Sequence, residues 1–246
     1  MTAETAGTAL VTGASRRIGA AIARRLAGSG WRVGIHYRQS AKEADTLAAE
    51  LRKAGHVASA IPGNLADIAD VPLLIGRCCE ALGPPTCLVN NASEFLRDDF
   101  RTLTPDLWDT HLNVNLRAPV FLARAMAARL PPEASGNVIN IIDQRALRPT
   151  PDFFSYTLSK AALWSATQML AQALAPRIRV NAVAPGPVLQ STYQQPADFE
   201  AEWRKTLLQR PARPEEIADA VRFILDAPAM TGQMITLDSG QHLVWR

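Results

Sequence analysis

Three side chains in the second half of the chain are able to carry acid–base chemistry: Asp143, Tyr156 and Lys160. Tyr156 and Lys160 are four residues apart, so a helix places them on one face. A lysine ammonium beside a phenol favours the phenolate. This predicts a tyrosine pKa below its free value of about 10, and a phenol that exchanges a proton with a substrate.

A glycine-bearing turn, residues 12–19, lies near the N-terminus. It follows a predicted strand and opens a predicted helix, which is the context of a phosphate-binding turn. Gly13 and Gly19 are present, but Arg17 stands where a middle glycine is more usual. A plain tight turn into a helix is the alternative. With the acid–base set, the turn predicts hydride transfer from a nicotinamide cofactor whose pyrophosphate lies on these backbone N–H groups.

The end of the second predicted strand bears on the choice of cofactor. Chains that bind NAD prefer an acidic residue there, which holds the ribose 2′-hydroxyl. This chain has the run His36-Tyr37-Arg38-Gln39-Ser40, which contains no acid. An arginine with nearby hydroxyls suits a 2′-phosphate, so NADPH is predicted. An exposed loop with a solvated arginine is the alternative.

Length and composition fit one domain over residues 1–246, with 48% hydrophobic and 20% charged residues. The net charge of +3 gives no reason to propose nucleic acid or a membrane surface as a partner. No apolar run reaches 18 residues, and the segment before the glycine turn lacks the pattern of a signal peptide, so a cytoplasmic protein is expected. The cysteines are predicted to be reduced and buried, and the four histidines lack metal-ligand spacing, so no metal is predicted.

Short apolar runs alternate with amphipathic stretches, which is typical of an α/β fold with a parallel sheet. The predicted strands are residues 8–12, 32–37, 57–61, 86–89, 137–142, 179–184 and 234–237. The predicted helices are residues 18–27, 41–53, 69–82, 105–113, 116–130, 153–174 and 215–225.

Two segments stand out from this alternation. Residues 187–211 carry glutamines, prolines and an amphipathic piece at 199–208, and are interpreted as a lid over a site. A plain surface insertion is the alternative. The helix from Phe153 is apolar nearly all round, which indicates either contact with a second subunit or burial under a neighbouring helix.

The residue pattern resembles the short-chain dehydrogenase/reductase family over nearly the whole chain. The motifs that carry the resemblance are Thr12-Gly13…Gly19, Asn90-Asn91-Ala92, Asn115, Tyr156-x-x-x-Lys160 and Pro185-Gly186. The resemblance implies a single-domain Rossmann fold, with seven parallel strands and helices on both faces, in a homo-oligomer that is usually a homotetramer.

The resemblance also implies roles. Tyr156 is expected as the acid/base, Lys160 as the ribose contact that lowers the tyrosine pKa, and Asn115 as the holder of a water in a proton relay. The expected cofactor contacts are Gly13, Ser15, Arg16, Arg17, Ile18, Gly19, His36, Tyr37, Arg38, Asn64, Leu65, Asn91, Ala92, Ser93, Tyr156, Lys160, Pro185 and Gly186.

Four departures from the usual family pattern point to its pteridine reductases, including bacterial dihydromonapterin- and dihydrofolate-reducing members. Asp143 replaces the usual serine, Arg17 lies in the glycine turn, Ser93-Glu94-Phe95 follows Asn90-Asn91-Ala92, and the second strand ends in His36-Tyr37-Arg38. By that resemblance Phe95 stacks on a pterin, Arg17 and Ser93 contact its edge and the cofactor phosphates, and Asp143 delivers a proton with Tyr156.

The residues agree with this interpretation, because an ionised aspartate cannot donate a hydrogen bond to a ketone oxygen, whereas pterin reduction at a C=N bond requires a protonated nitrogen. The expected activity is therefore NADPH-dependent reduction of a dihydropterin to the tetrahydro form. The alternatives are a reductase of ketones or 3-oxoacyl thioesters, and an NADPH-binding regulatory protein with little turnover.

Overall fold

The computed structural model describes residues 6–191 and 193–244. Seven strands form one parallel sheet in the order β3-β2-β1-β4-β5-β6-β7. The strands are β1 (Gly7–Val11), β2 (Trp31–Tyr37), β3 (Ala58–Pro62), β4 (Cys87–Asn90), β5 (Gly136–Ile141), β6 (Ile178–Pro185) and β7 (Met234–Leu237).

Helices connect these strands. They are α1 (Arg17–Gly28), α2 (Ala41–Lys53), α3 (Val71–Leu82), α4 (Pro105–Leu112), α5 (Ala118–Arg129), α6 (Phe154–Leu174), α7 (Pro196–Arg204) and α8 (Pro214–Asp226). A π-helical segment, Asn113–Arg117, joins α4 to α5, and short 3₁₀ turns cover Gln144–Ala146 and Gln241–Leu243.

The sheet is buried on both faces, which explains why its strands are almost continuously apolar. In β1, Ala9 and Val11 belong to one buried cluster and Leu10 to the other. Helices α1, α2 and α8 contribute to the first cluster, and α3, α5 and α6 to the second. The alternating side chains of a strand therefore each meet a helix layer.

The predicted fold class is confirmed, and each predicted strand agrees with the observed one within a residue at either end. The helices differ more. The helices predicted at 105–113 and 116–130 form one continuous run through the π-helical segment, α3 begins at residue 71 and not at 69, and α6 begins one residue after Phe153. In the segment 187–211, α7 overlaps only part of the amphipathic piece predicted at 199–208.

The sheet order decides where the site lies. It reverses direction between β1 and β4, and the loops that leave the carboxyl ends of these two strands diverge to form a crevice. The glycine turn follows β1 and Asn91 follows β4, so the residues expected to bind a dinucleotide border this crevice.

Residues 6–191 and 193–244 include no helix long and apolar enough to cross a membrane, and no group of three or more potential ligand side chains that could hold a metal. Cys78 and Cys87 are buried, and burial raises the pKa of each thiol to about 12. The single domain over 1–246 stays a prediction. Its first five and last two residues lie outside the described chain, as does Thr192 of the predicted lid.

Candidate active site

The glycine turn after β1 has the backbone geometry that its glycines allow. Gly13 has φ +59°, a left-handed conformation that glycine adopts without strain. A Cβ on Gly19 would collide with the carbonyl oxygen of Gly13 and lie 2.6 Å from Nδ2 of Asn91. Glycine at position 19 is therefore required for α1 to pack against the turn.

The loops after β1 and β4 are tied together by hydrogen bonds. Asn91 donates from Nδ2 to the carbonyl oxygens of Thr12 and Gly13 at 2.8 and 3.1 Å. Thr12 Oγ1 accepts from the N–H groups of Asn91 and Ala92 at 2.9 and 3.0 Å. These bonds fix the floor of the crevice.

His36 supports the glycine turn from inside the protein. The Gly13 N–H donates to His36 Nδ1 at 2.9 Å, and the opposite ring nitrogen, Nε2, lies 3.1 Å from the Gly63 carbonyl oxygen. This pairing assigns a neutral ring that carries its proton on Nε2. Burial lowers the pKa of His36 to about 4.

Arg17 has φ 56°, a left-handed conformation that is strained for a residue with a side chain and explains why glycine is more usual there. Its guanidinium donates to the carbonyl oxygens of Gln190 and Leu189 at 2.9 and 3.0 Å. Arg17 therefore links the glycine turn to the segment predicted as a lid.

A cavity of about 370 Å³ lies at the crevice. Most of the residues expected to bind the cofactor line it: Gly13, Ser15, Arg16, Arg17, Ile18, Gly19, His36, Tyr37, Arg38, Leu65, Asn91, Ala92 and Ser93. We call this space the first cavity.

The other expected cofactor contacts lie elsewhere. Asn64 is not among the residues that line the first cavity; its backbone N–H donates to Asp70, and its side-chain oxygen accepts from the Ala66 N–H. Pro185 ends β6, and Gly186 lines a second cavity. The expected cofactor contact of Asn64 stays a prediction.

Arg38 is paired with an acid in this structure. Its Nη1 lies 2.8 Å from Oε1 of Glu94, and both residues line the first cavity. The arginine is therefore exposed, as in the alternative considered from the sequence, but it has an acidic partner.

Asp143 and Tyr156 are directly bonded. The Tyr156 hydroxyl donates to Asp143 Oδ2 at 2.8 Å, and Asp143 Oδ1 accepts from the Arg145 N–H at 2.8 Å. Lys160 is buried and donates from Nζ to the Ile141 carbonyl oxygen at 2.9 Å. The same Nζ lies 5.8 Å from the centre of the Tyr156 ring.

This geometry reverses the expected pKa shift of Tyr156. Burial and then the charge and hydrogen bond of Asp143 raise the pKa of Tyr156 well above its usual value. Burial also raises the pKa of Asp143 and lowers that of Lys160 to about 8. The prediction of a lowered tyrosine pKa is therefore wrong: the phenol keeps its proton, and its hydroxyl donates a hydrogen bond to the carboxylate.

Asn115 lies in the π-helical segment and is fully buried. Its Oδ1 accepts from the Glu94 N–H at 2.9 Å and from the Ser93 hydroxyl at 3.2 Å, while Nδ2 donates to the Glu94 carbonyl and to Ser159. The side chain makes four hydrogen bonds to three residues and holds the 93–94 loop in place. Its water-binding role stays a prediction.

The second cavity, about 480 Å³, contains most of the residues expected to bind substrate. Arg17, Phe95, Asp143 and Tyr156 line it, whereas Ser93 lines the first cavity. Arg17 borders both, so the two cavities are neighbours. Several residues of the segment predicted as a lid also line it: Leu189, Ser191, Tyr193, Gln194, Asp198, Phe199 and Glu202.

Phe95 belongs to an aromatic stack. Its ring lies parallel to that of Phe153, with centroids 4.4 Å apart, and meets the Tyr156 ring edge-on at 4.7 Å. The Arg145 guanidinium lies 4.9 Å from the centroid of Phe153. One face of Phe95 is therefore covered by Phe153.

A buried polar group anchors the start of α6. The Asp98 carboxylate accepts from the N–H and the hydroxyl of Ser155, and the Asp98 carbonyl accepts from the Phe153 N–H at 2.8 Å. His111 accepts from the Leu96 N–H and bonds Ser155 at 2.7 Å. These contacts replace the side-chain cap that Phe153, itself left-handed at φ 56°, cannot supply.

Four residues of the site were not predicted from the sequence to have a role: Glu94, Asp98, Arg145 and Phe153. Glu94 and Phe153 were visible in the sequence, but nothing local predicts an ion pair across the cavity or a stack on Phe95. No sequence pattern indicated Asp98, because its partners are more than 50 residues away.

Comparisons with known proteins show which family the chain resembles over its length. A family model described as enoyl-(acyl carrier protein) reductase matches residues 13–242. The crystal structure of FolM alternative dihydrofolate reductase 1 from Brucella suis in complex with NADP superposes with a TM-score of 0.95 at 47% identity, covering 98% of this chain and 97% of that one.

The similarity to curated relatives also extends over nearly the whole chain. Pteridine reductase 1 of Leishmania tarentolae is 32% identical, and a 3-oxoacyl-[acyl-carrier-protein] reductase of Synechocystis sp. is 34% identical, each over 98% of both chains. With the family match, these identities over nearly the whole length establish that the chain belongs to the short-chain dehydrogenase/reductase family.

Proposed function

We propose that the protein is an NADPH-dependent reductase of oxidised pterins that converts a dihydropterin to the tetrahydro form. The observation that carries this proposal is the 2.8 Å bond from Tyr156 to Asp143, in a cavity that Phe95 also lines. The similarity to the Brucella FolM enzyme and to a pteridine reductase supports the same substrate class.

The first cavity fits a phosphorylated dinucleotide. Gly13 and Gly19 of the glycine turn line this cavity, and the helix α1 that follows presents backbone N–H groups to a pyrophosphate. Arg16, Arg17 and Arg38 supply positive charge, and Arg38 lies where a 2′-phosphate contact is expected. NADPH bound there supplies the hydride, and the Brucella suis structure contains NADP.

Asp143 and Tyr156 hold and transfer the proton that the reduction requires. Reduction of a C=N bond adds a hydride to carbon and a proton to nitrogen. The Tyr156 phenol is protonated because its pKa is raised, and its proton lies between its oxygen and Asp143 Oδ2. The raised pKa of Asp143 makes this carboxyl a ready acceptor and donor. The pair therefore holds a proton beside the substrate cavity and passes it to the ring nitrogen.

Phe95 and Arg17 supply the binding surfaces. Because Phe153 covers one face of Phe95, a pterin stacks on the other face. Arg17, at the border of the two cavities, offers donors to a polar ring edge or a phosphate. A small aliphatic ketone has no ring to stack on Phe95 and no polar ring edge or phosphate to accept from Arg17.

Assembly into a homotetramer is part of the proposal. Met169 and Leu158 on α6 are 68% and 40% exposed, although other side chains of this helix are buried within the chain. Apolar side chains exposed on a helix support a subunit contact there.

Reduction of 3-oxoacyl thioesters is the rival activity, and the Synechocystis relative carries that name. A carbonyl oxygen requires a hydrogen-bond donor, whereas the Tyr156 hydroxyl here is directed at a carboxylate. A regulatory protein with little turnover is the other rival, and the bonded Asp143–Tyr156 pair above a buried Lys160 argues against it.

Two variants of Asp143 test the proton role. Asp143→Asn keeps the shape and can still accept from Tyr156, but it cannot carry a proton, so we expect kcat with a dihydropterin to fall about 10²-fold. Asp143→Ser restores a hydroxyl donor, and we expect it to lose pterin reduction and gain turnover of an acetoacetyl thioester. Near-native pterin turnover by Asp143→Asn contradicts the proposal.

A further inference from the structure

The ion pair between Arg38 and Glu94 crosses the first cavity. Arg38 directly follows β2 and Glu94 lies four residues beyond the end of β4, and β1 separates these two strands in the sheet. The 2.8 Å contact between Nη1 and Oε1 therefore spans the carboxyl end of β1, over the glycine turn. Any dinucleotide in the cavity lies next to this pair.

The backbone of Glu94 is fixed by hydrogen bonds, whereas its side chain is partly exposed. Asn115 accepts from the Glu94 N–H and donates to the Glu94 carbonyl, both at 2.9 Å. The carboxylate has Arg38 as its partner, and the two side chains are 25% and 45% exposed. An ion pair that meets solvent in this way is readily replaced by a stronger partner.

We propose that Glu94 is a specificity-determining residue: its carboxylate occupies the Arg38 guanidinium until the 2′-phosphate of NADP(H) displaces it. This inference rests on the proposed use of NADPH. A phosphate carries more negative charge than a carboxylate and offers three acceptor oxygens, so it displaces Glu94 from the Arg38 guanidinium. The 2′-hydroxyl of NAD(H) is uncharged and cannot make this exchange.

The competition has a consequence for affinity. Binding of NADP(H) must break the Arg38–Glu94 ion pair, and this cost offsets part of the free energy gained from the contact between the 2′-phosphate and Arg38. Binding of NAD(H) leaves the Arg38–Glu94 ion pair intact. Glu94 therefore moderates the preference for the phosphorylated cofactor and hastens release of NADP⁺. Removal of its charge strengthens binding of NADP⁺ selectively, through Arg38.

Equilibrium titration of the purified full-length protein tests this, with NADP⁺ and NAD⁺ measured separately by calorimetry. We expect Glu94→Gln to lower the Kd for NADP⁺ about two- to fivefold, the range of partly exposed ion pairs, and to change the Kd for NAD⁺ by less than about 1.5-fold. In an Arg38→Gln background the Glu94→Gln substitution is expected to have no effect on either Kd.

Two controls make the result specific. Glu43→Gln removes one exposed negative charge from the first turn of α2, after the Arg38 loop, and is expected to leave the Kd for NADP⁺ unchanged. Glu94→Ala is expected to act in the same direction as Glu94→Gln, with thermal unfolding confirming that both variants are folded.

Other outcomes overturn the inference. Weaker binding of NADP⁺ by Glu94→Gln means that the pair closes over the bound cofactor instead of competing with it. Equal changes for NADP⁺ and NAD⁺, or an effect that persists without Arg38, mean that Glu94 acts by general charge. Failure of the wild-type protein to bind either nucleotide is a separate result, which refutes the proposed cofactor itself.

Discussion

His36 makes the stability of this protein depend on pH in a way that can be calculated. Its ring is buried and neutral, with Nδ1 accepting from the Gly13 N–H. The folded pKa is about 4, against an ordinary value of about 6.5 in the unfolded chain. Because the unfolded state binds more protons between these values, stability is complete above pH 6.5 and is lost as the pH falls towards 4.

The magnitude follows from the two pKa values. A difference of about 2.5 units is worth about 3.4 kcal/mol once both states are protonated, and about 2.5 kcal/mol of it is lost by pH 4.5. Protonation of Nδ1 also leaves the Gly13 N–H without its acceptor, so the glycine turn loses a support and the affinity for NADP⁺ falls over the same pH range.

Urea unfolding at pH 7.5 and pH 4.5, followed by circular dichroism, measures this loss. His36→Asn keeps an acceptor for Gly13 and removes the titrating ring, so the variant should lose about 2.5 kcal/mol less than the wild type between the two pH values. Carboxylates that titrate contribute equally to both proteins. His56→Asn removes an imidazole outside the turn. This variant should lose as much free energy of unfolding between the two pH values as the wild type does. Equal losses in wild type and His36→Asn refute the reasoning.

Three further predictions concern catalysis and binding. Tyr156→Phe removes the phenol and keeps the ring, so kcat should fall about 10²-fold or more with the Kd for NADP⁺ retained, and a near-native kcat would show that Tyr156 is not the essential acid. The wild type should have a kcat/KM about tenfold or more higher with NADPH than with NADH, since a charge-assisted contact is worth about 1.5–3 kcal/mol. Arg38→Asp should reduce or reverse this ratio. Equal kcat/KM values of the wild type with the two cofactors contradict the role of Arg38. Phe95→Ala should weaken dihydropterin binding by about 1–3 kcal/mol without changing NADPH affinity, and an unchanged pterin Kd excludes Phe95 as the platform.

The sheet could be predicted because the signals that mark its strands and turns lie within short stretches of the sequence. A strand buried on both faces must be apolar throughout, and the turns between elements are marked by glycine and proline. Helix details were less predictable. The π-helical segment at Asn113–Arg117 and the left-handed Phe153 depend on contacts with distant residues, such as Asp98, that no local pattern indicates.

The electrostatics of the site could not be predicted from spacing alone. The four-residue separation of Tyr156 and Lys160 correctly places both on α6, but it does not show that Nζ turns to the Ile141 carbonyl. Burial is the main cause of the raised tyrosine pKa, and Asp143, 13 residues earlier, adds to it because it is the group that touches the phenol. The sign of the tyrosine pKa shift therefore depended on tertiary structure.

The central claim is that the Asp143–Tyr156 pair serves a pterin and not a carbonyl. The most direct test measures kcat/KM of the wild-type protein with NADPH for dihydrobiopterin, dihydromonapterin, dihydrofolate and an acetoacetyl thioester, at one pH and one salt concentration. We predict efficient oxidation of NADPH with at least one of the three dihydropterins and little with the thioester. Efficient reduction of the thioester with no activity towards any pterin would contradict the assignment.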